Sequence, residues 1–218
     1  MQEICRDPSI LFAKDFPRQY LGVMNNPGIV DIRQAFRSGA VEERQTITIA
    51  GFHQAGVLVP IVPTAAGLHL LLTKRTEDVE THKGQISFPG GMVDPTDESI
   101  VQTALREAKE ELGIEPSAVE AIGILSDIAT PTGFVITPVV GIIEQLPELT
   151  PSAEEVAEVI HVPLELFMNG RNARMELREW RGKQHEVWYY QFGEHLIWGA
   201  TAIITRSLLK KLGLAGQP

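Results

Sequence analysis

The chain has 218 residues, 44% of them hydrophobic and 22% charged, which suits one globular domain with additions. Its formal net charge of -9 argues against a general binder of nucleic acid or anionic membrane, and the single cysteine, Cys5, excludes an intrachain disulfide and a thiolate metal cluster. No apolar run reaches the roughly 18 residues of a membrane span, and the N-terminus lacks the basic-then-apolar order of a signal peptide, so a cytoplasmic protein is expected.

Residues 1–50 read as a leader. Asp7-Pro8-Ser9 and Phe16-Pro17 are turn or extended signals, and Pro27 opens a short helix through Ile29, Ile32, Ala35 and Phe36 that ends at Gly39. No chemistry is evident there; a covering flap or a homodimer contact is the role left open. Ala55 to Pro63 reads as a buried strand and Leu68 to Thr73 as its partner, across the turn-rich Pro63-Thr64-Ala65-Ala66-Gly67. Lys74 and Arg75 close the second strand. They either solubilise a strand end or contact an anion. In Lys83-Gly84-Gln85-Ile86-Ser87-Phe88-Pro89-Gly90-Gly91, Ile86 and Phe88 alternate with polar neighbours as in a half-buried strand. The paired glycines let the backbone approach a ligand or metal closely.

Next comes the stretch around which the chain is organised. Val101, Ala104, Leu105, Ala108 and Leu112 form an apolar arc of a helix, with Thr96 or Asp97 as the expected N-cap and Gly113 as its stop. At about 100° per residue, Glu107, Glu110 and Glu111 share a second arc. Like charges at that spacing repel, and a hard divalent cation, Mg²⁺ or Mn²⁺, resolves the repulsion. Arg106 stands beside the three and can orient one of them. A solvated acidic face is the bland alternative; the Pro-Gly-Gly turn upstream and the fixed Arg-Glu-x-x-Glu-Glu-x-Gly order favour the metal.

Beyond it, Val119 to Ser126 and Val135 to Ile143 read as strands around a Thr130–Phe134 loop. Phe134 can stack on an adenine ring, although a core position is the commoner use of such a residue. Glu154 and Glu155 in an acidic loop are candidates for a general base. Pro163 opens a short helix, and Met175–Trp180 with Glu186–Phe192 form a hairpin whose aromatics pack between strands. A last helix buries Ala202, Ile203, Leu208, Leu209 and Leu212, keeps Arg206, Lys210 and Lys211 outside, and frays from Gly213. Scattered histidines argue against a zinc hydrolase, and no glycine-rich loop ends in Gly-Lys-Ser/Thr.

Arg106-Glu107-Ala108-Lys109-Glu110-Glu111-Leu112-Gly113-Ile114 resembles the second half of the Nudix hydrolase signature without a gap. The first half carries one extra residue. Asp97 keeps the family's distance from the second glycine and Glu98 its distance from the arginine, so either can be the signature's first acid. Leu71 to Thr76, Gly84, Phe88 to Gly91, the aspartate-rich Asp94-Pro95-Thr96-Asp97 and the Thr130–Val140 run are together similar to the coenzyme A pyrophosphatase branch, with Glu80 as a departure. The resemblance covers residues 50 to 212 and leaves the leader outside.

It implies an α/β/α sandwich, a mixed β-sheet between helices, with a Nudix domain over 51–212 and a tail over 213–218. It implies metal-dependent hydrolysis of coenzyme A or an acyl-coenzyme A to 3′,5′-ADP and 4′-phosphopantetheine. Arg106, Glu107, Glu110 and Glu111 would be catalytic. Glu107, Glu110, Glu111 and the Gly91 carbonyl would hold Mg²⁺ or Mn²⁺. Lys74, Arg75, Gly84, Phe88, Gly90 and Phe134 would bind substrate. A Nudix enzyme for ADP-ribose or another nucleoside diphosphate derivative, and a non-catalytic nucleotide sensor, are the alternatives.

Overall fold

The computed structural model of the chain describes residues 10–11, 27–37, 44–76, 84–169, 172–180 and 182–215. The turn signals at Asp7-Pro8 and Phe16-Pro17, the Gly39 helix stop, Glu80 and Lys83 lie outside them.

Two strands rich in β-branched and aliphatic residues, His53–Thr64 (β2) and Gly67–Arg75 (β3), form the centre of the main sheet. Their middle positions are buried on both faces, which is why the sequence shows continuous apolar runs instead of alternation. Their turn is tighter than the sequence suggested: Thr64 pairs with Gly67, leaving only Ala65 and Ala66 between. Outside them lie Phe134–Ile142 (β8) and Val156–Pro163 (β9), with Glu120–Ile124 (β6) beyond β8 and Ile10–Leu11 (β1) beyond β9. The order is β1-β9-β3-β2-β8-β6. The β2–β8 and β1–β9 pairs are parallel and the others antiparallel, so the sheet is mixed. Short strands Ile86–Ser87 (β4), Gly90–Met92 (β5) and Ile128–Ala129 (β7) pair with β3, β2 and β8.

The helix Ile100–Leu112 (α2) lies on one face, where Ala104 and Ala108 pack on Leu58 and Val139, and Leu112 packs with Val62 and Leu71. Odd-numbered β2 residues Val57, Val59 and Ile61 point the other way. There they meet the helices Leu164–Met168 (α3) and Gly199–Lys211 (α4) and a three-stranded sheet, Ala173–Trp180 (β10), Lys183–Phe192 (β11) and His195–Trp198 (β12). The result is the expected α/β/α layering. Each fully buried Leu or Ile in these layers contributes roughly 2 kcal/mol.

Several details differ from the sequence reading. Within residues 1–50, Ile10–Leu11 adds a parallel edge strand that the sequence reading did not expect, and Ile29–Arg37 (α1) docks on β6. Arg33 of α1 donates to Glu120 and Glu144, and the Phe36 ring sits where a Cβ on Gly123 would be. The segments Val156–Pro163 and His195–Trp198 are strands. Val156–Pro163 takes its register from β3, distant in sequence, and His195–Trp198 from the adjacent β11. Ile203 is 36% exposed and does not belong to the buried stripe of α4. Arg206, expected outside, lies 3.4 Å over the Trp188 ring. Helix α4 does not fray at Gly213. That residue turns left-handed at φ 69°, and the Leu214 N–H returns to the Leu209 carbonyl at 2.8 Å, closing the end. Among the described residues no helix is long and apolar enough to cross a membrane.

Candidate active site

Helix α2 is pinned at both ends. Its N-cap is Ser99, whose Oγ accepts from Gln102 N at 3.2 Å, not Thr96 or Asp97. Asp94 closes the preceding turn by accepting from Thr96 N and Oγ1, which leaves Asp97 free to turn inward. At the other end Gly113 is left-handed at φ 72°, and its N–H donates to Ala108 and Lys109. Thr150 N and Ser152 N then satisfy the carbonyls of Leu112 and Glu111 at 3.0 and 2.9 Å. A Cβ on Gly113 would overlap Thr150 Oγ1, so the helix end and the loop before β9 are locked together.

Of the two acids proposed for the first position of the signature, Asp97 is the one built in. Its side chain is 1% exposed and accepts from Arg106 Nε and Nη2 and from Thr103 Oγ1. The Arg106 guanidinium beside it holds its carboxyl well below the usual range. Glu98 is exposed. Arg106 does more than orient one carboxylate: it also binds Glu107 Oε1 at 2.7 Å, Glu110 Oε2 at 3.1 Å and the Met92 carbonyl at 3.0 Å.

The three glutamates are in three different environments. Glu111 is 3% exposed. Burial pushes its carboxyl up to about 8, against the opposing pull of Arg75, whose Nη1 lies 3.9 Å away, and of the Gly90 N–H. Glu107 is half-buried. Burial raises it too, Arg106 opposes, and the Glu110 and Glu155 charges add to the rise. Glu110 is exposed, with 56% of its side chain open, and leans to Arg106. Among the described residues no three His, Cys, Asp or Glu side chains lie close enough to hold a metal ion, so the expected three-way convergence is not seen here. The donor chemistry nevertheless fits Mg²⁺, which commonly takes one or two carboxylates with backbone, water and substrate oxygens. Two acids reluctant to ionise stand beside the Gly90-Gly91 backbone. The space a Gly91 Cβ would need is filled by the Glu107 carboxylate, at 2.5 Å. Glu155 adds its charge to both acids from the loop before β9, whereas nothing in the structure sets Glu154 apart beyond its carbonyl, which accepts from Thr76 Oγ1.

Beside these acids opens a cleft of about 590 Å³. Arg75, Phe88, Gly90 and Phe134, expected at a substrate site, line it, together with Gly91, expected at the metal. Lys74 and Gly84 are not among its lining residues. Phe134 is only partly buried, 5.7 Å from the His53 ring, and so is a wall of the cleft instead of a core residue. Trp198 also lines the cleft, a contribution sequence reading overlooked. The signal was a tryptophan next to a glycine ahead of the last helix, and only the fold brings it to the cleft that Phe88 also lines.

A NUDIX domain model matches residues 52–184. An uncharacterized Nudix hydrolase NudL from Cronobacter sakazakii is 45% identical over 161 residues, covering 73% of this chain and 83% of that protein. The NudL of Escherichia coli O7:K1 is 43% identical over 162 residues, 74% of this chain and 83% of that protein. Among solved structures, a NUDIX hydrolase from Alicyclobacillus acidocaldarius aligns with a TM-score of 0.52 and 16% identity over 78% of this chain and 100% of that one, a likeness of fold.

Proposed function

The chain belongs to the NUDIX family, and from that premise we propose that it is a metal-dependent pyrophosphohydrolase of coenzyme A or an acyl-coenzyme A, releasing 3′,5′-ADP and (acyl-)4′-phosphopantetheine. The observation that carries the chemistry is the placement of buried Glu111 and half-buried Glu107 against Gly90 and Gly91, at the edge of a largely apolar cleft. The coenzyme A assignment is supported by the Leu71–Gly91 and Thr130–Val140 segments, which supply much of that cleft.

Members of this family generally use a divalent ion such as Mg²⁺ or Mn²⁺. Here Glu107 and Glu111, with Glu110 and the Gly91 carbonyl, would hold it. When bound it supplies charge neutralisation at the diphosphate and activation of water. Arg75 contacts a phosphate oxygen. Phe88, Gly90 and Phe134 fix the substrate beside the acids. Arg106, clamped by Asp97, keeps Glu107 and Glu110 in orientation. Water oxygen bonds to one phosphorus as the anhydride P–O bond breaks. The departing phosphate keeps the electron pair, and the water proton passes to Glu110 or Glu111. Positioning and charge stabilisation supply most of the rate.

A panel of coenzyme A, acyl-coenzyme A, ADP-ribose and nucleoside triphosphates with Mg²⁺ or Mn²⁺ tests this. Coenzyme A is expected to be cleaved fastest. Cleavage of ADP-ribose with coenzyme A untouched moves the substrate to the nucleoside diphosphate sugars. No turnover of any member, with normal ligand binding by Glu107→Gln, identifies a nucleotide sensor.

A further inference from the structure

We propose that Trp198 is a specificity-determining residue that holds the uncharged pantetheine or acyl arm of the substrate, an inference that rests on the pyrophosphohydrolase reading above. Trp198 is a large aromatic that the core does not use, since it is 41% exposed while lining the cleft beside Gly90 and Gly91. Its position is rigid. It ends β12, and Gly199, left-handed at φ 64°, turns the chain directly into α4 with no loop between. Thr201 Oγ1 donates to the Ile86 carbonyl at 2.9 Å, tying the start of α4 to β4. The indole stacks on Tyr189, ring centroids 6.2 Å apart and planes 14° from parallel. Tyr189 is itself buried and lies 4.6 Å beneath the Arg174 guanidinium. A braced aromatic with open surface is a preorganised contact, because its ordering entropy is already spent in the free protein.

Charge decides which part of the substrate it receives. Coenzyme A has one end bearing phosphates on a nucleotide and another that is an uncharged amide chain. Among the described residues that line the cleft, Arg75 is the one that is charged, and it already faces Glu111. A wall built from Trp198, Phe88 and Ile86 offers a second phosphate no counter-charge, but suits methylene and amide groups. The arm therefore runs along Trp198, with the nucleotide directed away from it.

The test is a chain-length series, acetyl- to decanoyl-coenzyme A, on the full chain and its Trp198→Ala and Trp198→Phe variants, with KM, kcat and melting temperature recorded. In the parent KM falls as the acyl chain lengthens. In Trp198→Ala this dependence flattens, and KM for decanoyl-coenzyme A rises about tenfold with kcat changed far less. Trp198→Phe, which keeps an aromatic face and controls for misfolding, restores most of the dependence. The same chain-length slope in parent and Ala variant overturns the proposal and leaves the activity standing. If decanoyl-coenzyme A binds by calorimetry in a Trp198-dependent way without turnover, the activity falls and the proposal stands. Neither binding nor turnover overturns both.

Discussion

Arg106 grips Asp97 with two parallel bonds, Nε to Oδ1 at 3.1 Å and Nη2 to Oδ2 at 3.0 Å, while its third nitrogen reaches the glutamates of its own helix. One guanidinium thus joins the turn after the Gly-Gly pair to Glu107 and Glu110 of α2. Asp97→Ala leaves that cation unbalanced and frees its fork. A melting-temperature loss of roughly 5 °C or more is expected, with kcat lowered as well. Glu98→Ala, at an exposed position, should change neither. Thermal melts and steady-state rates on the two variants check this.

Gly91 and its neighbour Gly90 separate activity from stability. A Cβ at Gly91 meets only the end of the Glu107 side chain, at 2.5 Å, which can swing away. Gly91→Ala is expected to fold normally and to lose about tenfold or more in kcat by displacing that carboxylate. A Cβ at Gly90 meets the Gly56 carbonyl at 2.5 Å and the Val57 Cα at 2.6 Å, backbone that cannot yield cheaply. Gly90→Ala should therefore appear mainly as a lowered melting temperature.

The buried Glu111 carboxyl, raised to about 8 from an ordinary 4.5, makes the metal-free protein less stable as pH rises. Between those two values the unfolded chain has released a proton that the folded one keeps, so each step up in pH favours unfolding. By pH 7 the effect is on the order of 3 kcal/mol, and it levels off only above pH 8. Glu111→Gln should remove this slope and be more stable than the parent at pH 8 in the presence of chelator, while losing at least about a hundredfold in activity. Denaturant titrations from pH 5 to 8, with and without Mg²⁺, measure both effects. Added Mg²⁺ should stabilise the parent, increasingly with pH, and not the variant.

His161 acts in the opposite direction and at lower pH. Buried in β9, its imidazole is depressed from 6.5 to about 4, chiefly by burial and further by His69. The unfolded chain takes up a proton first, so this stability is complete above 6.5 and disappears as pH falls through 4. NMR titration should show the His161 ring still neutral at pH 5.5. An imidazole that titrates near 6.5 in the native protein would contradict this.

What could be read in advance followed the range of the interactions. Helix α2, its glycine stop and the central β2–β3 pair are set by neighbours within a few residues, and they appear where periodicity put them. Ser99 replaced Asp97 as the cap because Asp97 is claimed by Arg106, nine positions on, a competition that local capping preference does not register. The edge strand at Ile10–Leu11 depends on β9, about 150 residues later, and has no local signature. Arg75, Phe88 and Phe134 reached the cleft from separate segments whose resemblance to one branch had already grouped them. Trp198 had no such grouping, and Lys74, adjacent to Arg75 in sequence, is not part of that lining.

The parallel pairing of β2 with β8 also bears on how the chain acquires its shape. His53 lies opposite Phe134, and the match continues to Ile61 opposite Ile142, always 81 positions apart by subtraction. On a ribosome the middle of the sheet must wait for more than half of the polypeptide to emerge, while α2 can form beforehand inside the intervening loop. Such distant closure places refolding toward the slow end of the millisecond-to-second scale for single domains. Until β8 arrives, the apolar edge of β2 is a hazard for self-association, so dilute, chaperone-rich conditions should raise the yield of active protein.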